Sequence, residues 1–356
     1  MNRWPLYQSI RDDELISSWL LRNALAHGCT PLAFCGELWP AVRLWTMDID
    51  CGVKQKLFRQ LDNDEFPGLA AADERFHAAL LCISSTDVRR ANTRWLLSLG
   101  LRNRQHHCGL QYCPACFEEG QPYFRYHWRF AWQTGCTRHG ICLISRCRNC
   151  HAPIQPQLLV PPATDCSICH VCGEALTSRS IATPCIPDAL SLQSVADNVL
   201  SRSCASAQAC EWFEYAYLLV SLLRYALRTR SGSTQLMLSS LNVDVKPQYQ
   251  IRSGLPLELL EVNERMWIMS LLAPLVALPS ELLAQAISDY HLPLSVFGRH
   301  MSASCSSAAA QALVSAAVVH SHKAACIKRI HPAVDRVTVE REWQRLQRKI
   351  FAYARP

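Results

Sequence analysis

Cysteine spacing constrains this chain more than any other feature. Cys113-Pro-Ala-Cys116 is followed after nineteen residues by Cys136-Thr-Arg-His139. Two ligands separated by two residues form a tight knuckle, and a second pair a loop away completes the tetrahedron that zinc prefers. Seven residues after His139 the pattern repeats. Cys147-Arg-Asn-Cys150 is followed after eighteen residues by Cys169-His-Val-Cys172, with Gly173 placed for the turn after the last ligand. Cys166 and His170 are alternative ligands for this second set. The expectation is two structural Zn2+ ions, held by Cys113, Cys116, Cys136 and His139 and by Cys147, Cys150, Cys169 and Cys172. In both sets the protein fills all four positions, so neither metal keeps an open place for water or substrate.

The chain has nineteen cysteines, eleven of them from Cys108 to Cys185. Met1 to Glu14 shows no apolar core of a secretory leader. Clustered, paired cysteines in a reducing compartment point to metal rather than disulfides. Cys29, Cys35, Cys51, Cys82, Cys142, Cys204, Cys210, Cys305 and Cys326 read instead as small buried apolar groups. The expected location is cytoplasmic, with action at the nucleoid.

Hydrophobic residues make up 49% of the chain and charged residues only 18%, with 13 glycines and little strand-type alternation. That favours helices. The apolar stretches Trp267 to Ser280 and Met301 to Ser321 read as buried helices, the first too short and broken by proline, the second too rich in Ser and Ala to span a membrane. The expected fold is mainly α. A helical N-terminal domain (1–105) precedes a tandem zinc-ribbon or zinc-finger module (106–180). A helical C-terminal domain (181–356) follows, with room for a helix-turn-helix.

Helical spacing of Leu15, Ile16, Trp19, Leu20 and Ala24 predicts a first helix, with Asp12, Asp13 and Glu14 at its N-terminus. Further helices are expected over 53–61, 71–83, 88–99, 189–200, 209–229, 255–272, 280–290, 303–320 and 338–354. Between the first-site knuckles, six of the ten residues Tyr123 to Trp132 are aromatic. Phe124, Trp128 and Trp132 recur at helical spacing. An aromatic helix packed on the zinc module is expected in preference to a base-stacking platform, leaving Arg125 and Arg129 to face a partner or phosphates.

From His320 to the last residue there are nine Lys or Arg and three acids. Such a basic end attracts phosphate backbones or forms the solvated face of a terminal helix. Arg341, Arg345, Arg348 and Lys349 are its candidate contacts. No Gly-x-x-x-x-Gly-Lys-Ser/Thr, His-Glu-x-x-His or Gly-x-Ser-x-Gly motif is present, which leaves the enzyme readings weak. His106-His107, adjacent on an extended segment, point apart.

Taken as a set, the residues resemble the TniQ family of transposition target-selection proteins. The matching pieces are Trp4-Pro5, Asp13-Glu14-Leu15, Ser17-Ser18-Trp19-Leu20-x-Arg22, Leu38-Trp39-Pro40 and Leu44-Trp45-Thr46-Met47-Asp48-Ile49-Asp50. They continue with Tyr112-Cys113-Pro114-x-Cys116, the Tyr123-Phe124-Arg125 to Trp128-Arg129 stretch, Cys136-x-x-His139-Gly140, Leu143 and Arg146-Cys147-x-x-Cys150. The resemblance covers about residues 1 to 175. It implies a non-catalytic adaptor linking a target-recognition element to a transposon-encoded AAA+ ATPase and transposase. The recognition element is either an RNA-guided Cascade-type complex or target DNA read by the protein's own domain, and the family permits a homodimer. Two other readings compete: a stand-alone zinc-containing protein reading an attachment site, and a metal-dependent nuclease built on scattered acids.

Overall fold

The computed structural model describes residues 4–46, 48–51, 66, 68–83, 93–97, 99, 109–177, 183–202, 207–229, 232–246, 255–297, 307–324, 339–340, 342–344 and 346. Helices dominate. Among the described residues there is no named strand, only isolated antiparallel bridges.

The first helix, α1 (Ile16–Ala26), is buried from both sides. Ile16, Trp19 and Leu20 pack with Trp4, Cys35, Trp39 and Phe66, while Leu15, Leu21 and Leu25 join the larger core. The expected acids do not sit in its first turn; Leu15 is the N-cap and makes no side-chain cap bond. Glu14 is instead spent in a buried ion pair with Arg22 (2.6 Å), and its other oxygen accepts from Ser18. Asp13 reaches away to Tyr123 and Arg125.

The second helix, α2 (Pro31–Leu38), starts where Thr30 accepts the Ala33 N–H at 3.1 Å and proline takes the first position, a strong start signal. In α3 (Leu69–Ile83), Leu69, Ala72, Phe76, Ala79, Leu80 and Ile83 form one buried stripe, the i, i+3, i+4, i+7 pattern of an amphipathic helix. The helix expected over 53–61 lies outside the described residues. The one expected over 88–99 is corrected where it is described. Thr93 to Leu97 is a turn in which Trp95 has φ 65°, its N–H donating to Glu258 Oε1 and its indole to the Phe213 carbonyl. Two long-range partners decide that backbone against its local helical pattern.

After the cysteine-rich stretch, which contains the short helix α4 (Pro114–Glu118), the chain is helical again. It forms α5 (Pro187–Arg202), α6 (Ala207–Thr229), α7 (Gly232–Ser240), α8 (Val262–Val276), α9 (Ser280–Asp289) and α10 (Ala308–Ala324). The helix expected from Leu255 starts only at Val262. Residues Leu257–Leu259 form a 3-10 turn, and Glu261 and Glu264 then make a reciprocal capping box, which fixes the start. In α10, Ser307 Oγ accepts from Ala310 N at 3.3 Å, setting its start. Of the expected 338–354 helix, 339, 340, 342–344 and 346 are helical and the remainder lies outside the described residues. One core cluster runs from Leu15 through the cysteine-rich segment to Ala317. No single helix among the described residues is long and apolar enough to cross a membrane.

Candidate metal centres

Three miniature hairpins and one helix start position the cysteines. Cys113 is the N-cap of α4, and the Phe117 N–H donates to its carbonyl, so Cys116 turns back beside it. The other three knuckles share one design. In the hairpin around 134–143, Cys136 N donates to Ile141 O and Gly140 N returns to Cys136 O, both at 2.8 Å. Around 145–154, Cys147 N donates to Ala152 O at 2.8 Å and His151 N to Cys147 O at 3.0 Å. Around 167–176, Cys169 N donates to Glu174 O and Gly173 N to Cys169 O, both at 2.9 Å. Gly140, His151 and Gly173 close these turns with φ of 65°, 57° and 72°. That left-handed geometry suits glycine and strains other residues. In the third hairpin the Val171 N–H also points at Cys169 Sγ, 3.4 Å away.

The result is two compact four-donor clusters, Cys113, Cys116, Cys136, His139 and Cys147, Cys150, Cys169, Cys172, each with its ligand atoms within 4.8 Å of one another. In the first, His139 Nδ1 lies 3.4 Å from each of the three sulfurs, and Cys116 and Cys136 are 3.6 Å apart. In the second, Cys147–Cys172 and Cys150–Cys169 are both 3.6 Å apart. Zinc bonds of about 2.3 Å to sulfur and about 2.0 Å to nitrogen place donors on a tetrahedron about 3.5–3.8 Å apart. The donor sets fit two such metal sites in size and softness. Cys166 stays outside the second cluster, buried with its thiol on the Pro122 carbonyl (3.3 Å), and His170 is also not part of it.

Around the first cluster the ring of His139 is held from behind. Its Nε2 lies 2.8 Å from Glu119 Oε1, while Arg138 binds the other Glu119 oxygen at 3.0 Å. A carboxylate behind a ligating imidazole fixes the tautomer that leaves Nδ1 as donor to a metal. This residue escaped the sequence reading; its position on the α4 turn opposite the Cys-x-x-His knuckle was the only signal for it. The exposed thiol of Cys172 is held down to about 7 by the Glu174 backbone N–H, its largest influence.

The aromatic run is not the helix its spacing predicts. Only Tyr126–Arg129 turns, as a 3-10 helix. On either side the backbone is captured by distant segments: Glu14 bridges Arg125, and Leu96 bridges Phe130. The rings still pack, with Phe130 stacked on Trp132 at 4.5 Å and Phe117 edge-on to Phe124 at 5.4 Å. Arg129 is corrected as a contact residue. It is fully buried and bonds Asp48, Asp50 and the Leu97 carbonyl, which leaves it no face for a phosphate. Arg125 is half-buried, paired with Asp13 and lying over the Tyr123 ring at 4.9 Å. Arg341, Arg345, Arg348 and Lys349 lie outside the described residues, as do His106 and His107.

Asp48 and Asp50, in the segment after Trp45, share the one Arg129 guanidinium. Burial, the larger effect, pushes the Asp50 carboxyl up to about 6 against the pull of Arg129.

Residues 5–143 match the family model described as TniQ. No curated protein and no solved structure matches the chain.

Proposed function

With residues 5–143 forming a TniQ-family domain, we propose that this chain is a non-catalytic adaptor in transposition target selection, with a structural zinc ion in each four-donor cluster. The family implies a role in transposition target selection, and its members are generally non-catalytic. The observation that carries the reading is the closed coordination of the two clusters, one inside the family match and one immediately after it. Four protein donors leave a zinc ion nothing to offer a substrate, so its work is to hold hairpins together. The partners in this reading are a transposon AAA+ ATPase and a target-recognition element, either a Cascade-type ribonucleoprotein or target DNA. Two copies of the chain associating as a dimer is compatible with it.

The test has two parts. Metal analysis of the purified chain is expected to give two zinc ions, with loss of one upon Cys136→Ser or Cys169→Ser. Duplex binding is then measured against salt and sequence. An adaptor binds weakly, without base preference and with a steep salt slope. A stand-alone reader loses about 1–3 kcal/mol per wrong base pair. Strong discrimination between sequences, together with failure to co-purify with the ATPase or the recognition complex, would overturn the adaptor reading.

A further inference from the structure

Three sulfur atoms meet in the core at a place neither cluster uses. Cys142 follows the first cluster's hairpin turn, Cys185 lies in the segment entering α5, and Met266 is on α8. All three side chains are buried. Cys142 Sγ lies 3.3 Å and Cys185 Sγ 3.7 Å from Met266 Sδ, and the two thiols are partners of each other. Backbone pairing sets this up. Ile141 bridges Pro184, Cys142 N donates to Thr183 O at 2.8 Å, and Cys185 N donates to Gly140 O at 2.9 Å. The two cysteines therefore sit diagonally on one face of a two-chain ladder, within reach of a common partner. Gly135 closes the wall: a Cβ there would lie 2.6 Å from Cys185 Sγ.

Packing of small thiols and a flexible thioether accounts for the burial of each residue. Each thiol S–H is also directed at the Met266 Sδ, so three segments far apart in sequence bring their sulfurs to one point. A metal–sulfur bond of about 2.3 Å sets two sulfurs on one ion about 3.7–4.0 Å apart; the Cys185–Met266 spacing of 3.7 Å meets this, and Cys142 at 3.3 Å from Met266 needs to draw back by about 0.4 Å to share the ion.

We propose that Cys142, Cys185 and Met266 form a third metal site, for a soft monovalent d10 cation of the Cu(I) type, which fastens α8 and the start of α5 to the first cluster's hairpin. Thiolate and thioether donors favour such an ion, and two thiols with one thioether lack the four-donor tetrahedron zinc takes elsewhere in this chain. Binding is ligand exchange without electron transfer. Two S–H bonds lose their protons to solvent, two Cu–S(thiolate) bonds and one Cu–S(thioether) bond form, and the site gains one net negative charge. Arg265, the residue before Met266, donates to the carbonyls of Ala131 (2.8 Å) and Gln133 (3.4 Å) and so keeps a buried positive charge one residue from Thr134. Thr134 Oγ1 is in turn 3.9 Å from Cys185 Sγ.

The experiment uses the full chain, resting on the reading that zinc fills the two clusters. Cu(I) is added anaerobically in the presence of a competing Cu(I) chelator, and bound metals are counted by native mass spectrometry. One copper is expected beside two zinc ions. Cys142→Ala and Cys185→Ala should abolish copper uptake while both zinc ions stay. Met266→Leu, which keeps the core volume, should weaken copper by roughly tenfold or more and remove one sulfur from its X-ray absorption shell. Copper that enters only as zinc leaves, or uptake untouched by all three variants, would overturn the proposal. So would a Cys142–Cys185 disulfide in protein kept reduced throughout. A starting protein without zinc would defeat the zinc reading alone, because the third site is read through its own variants.

Discussion

His139 is placed by Glu119 as much as by its own knuckle, and that contact carries a measurable consequence. Replacing Glu119 by Ala frees the imidazole to rotate and change tautomer, so the first cluster is expected to lose about 10- to 100-fold in zinc affinity with the second unchanged. Competition against a chromophoric chelator reads both sites; equal weakening of the two would sink the idea. Asp50 makes a different prediction. Burial raises its folded-state carboxyl from the ordinary 3.8 to about 6, so the folded chain binds the proton more tightly than the unfolded chain does. That contribution is fully present below the ordinary value and is lost as pH rises through about 6. Denaturation midpoints across this window should therefore show a falling contribution that Asp50→Asn removes; identical slopes in parent and variant would refute it. Residues of this kind were only half legible in the sequence. The eight cluster residues could be placed from their spacing, because two-residue knuckles have few geometries. Arg129 could not, since the carboxylates that bury it lie 81 and 79 positions away.

At the scale of elements, the three hairpin knuckles turn on one backbone feature, a left-handed residue four places after the first ligand. At Gly173 an added Cβ would meet nothing within 4 Å, so the cost of Gly173→Ala is conformational alone, about 1–2 kcal/mol. His151 holds the same geometry at φ 57° without being glycine. His151→Gly is expected to relieve strain and be neutral or stabilising by about 1 kcal/mol. Destabilisation by Gly173→Ala without destabilisation by His151→Gly in chemical denaturation supports the shared turn; destabilisation by both would show that the His151 side chain outweighs its strain. The helices show why pattern reading succeeds in some elements and fails in others. In α3, α5, α6 and α9 one face meets a core and the 3.6-residue period survives in the sequence. The aromatic run carries the same period, yet Leu97 N donates to Arg129 O at 2.8 Å and Ala131 N to Trp95 O at 2.7 Å. Those bonds take the groups a helix would need, and nothing local announces them.

Over the whole molecule, the cysteine-rich segment supplies partners that the C-terminal helices need. Asp197 on α5 accepts from Trp132 and Gln133 at 3.0 and 2.7 Å. Gln193 accepts from Gly135 N at 3.3 Å and donates to Gly135 O at 3.0 Å. Arg265 on α8 donates to Gln111 Oε1 at 2.8 Å. Gln193 and Arg265 are buried and Asp197 is half-buried, and each loses its partner if the cysteine-rich segment unfolds, at about 1–3 kcal/mol apiece. Structural zinc contributes on the order of 10 kcal/mol of apparent binding free energy to its folding unit, against a total stability of about 5–15 kcal/mol for an ordinary domain. Removing both ions should therefore melt the helices beyond residue 187 along with the hairpins. Titration with a strong chelator under reducing conditions, followed by far-ultraviolet circular dichroism, is expected to show one concerted loss of helix. Glu258→Ala should shift that loss to lower chelator concentration, because the Trp95 turn then leaves a buried N–H unpaired. A two-step titration, with metal released first and the helical signal retained, would mean that the C-terminal half folds independently and that the contacts from Asp197, Gln193 and Arg265 are dispensable to it.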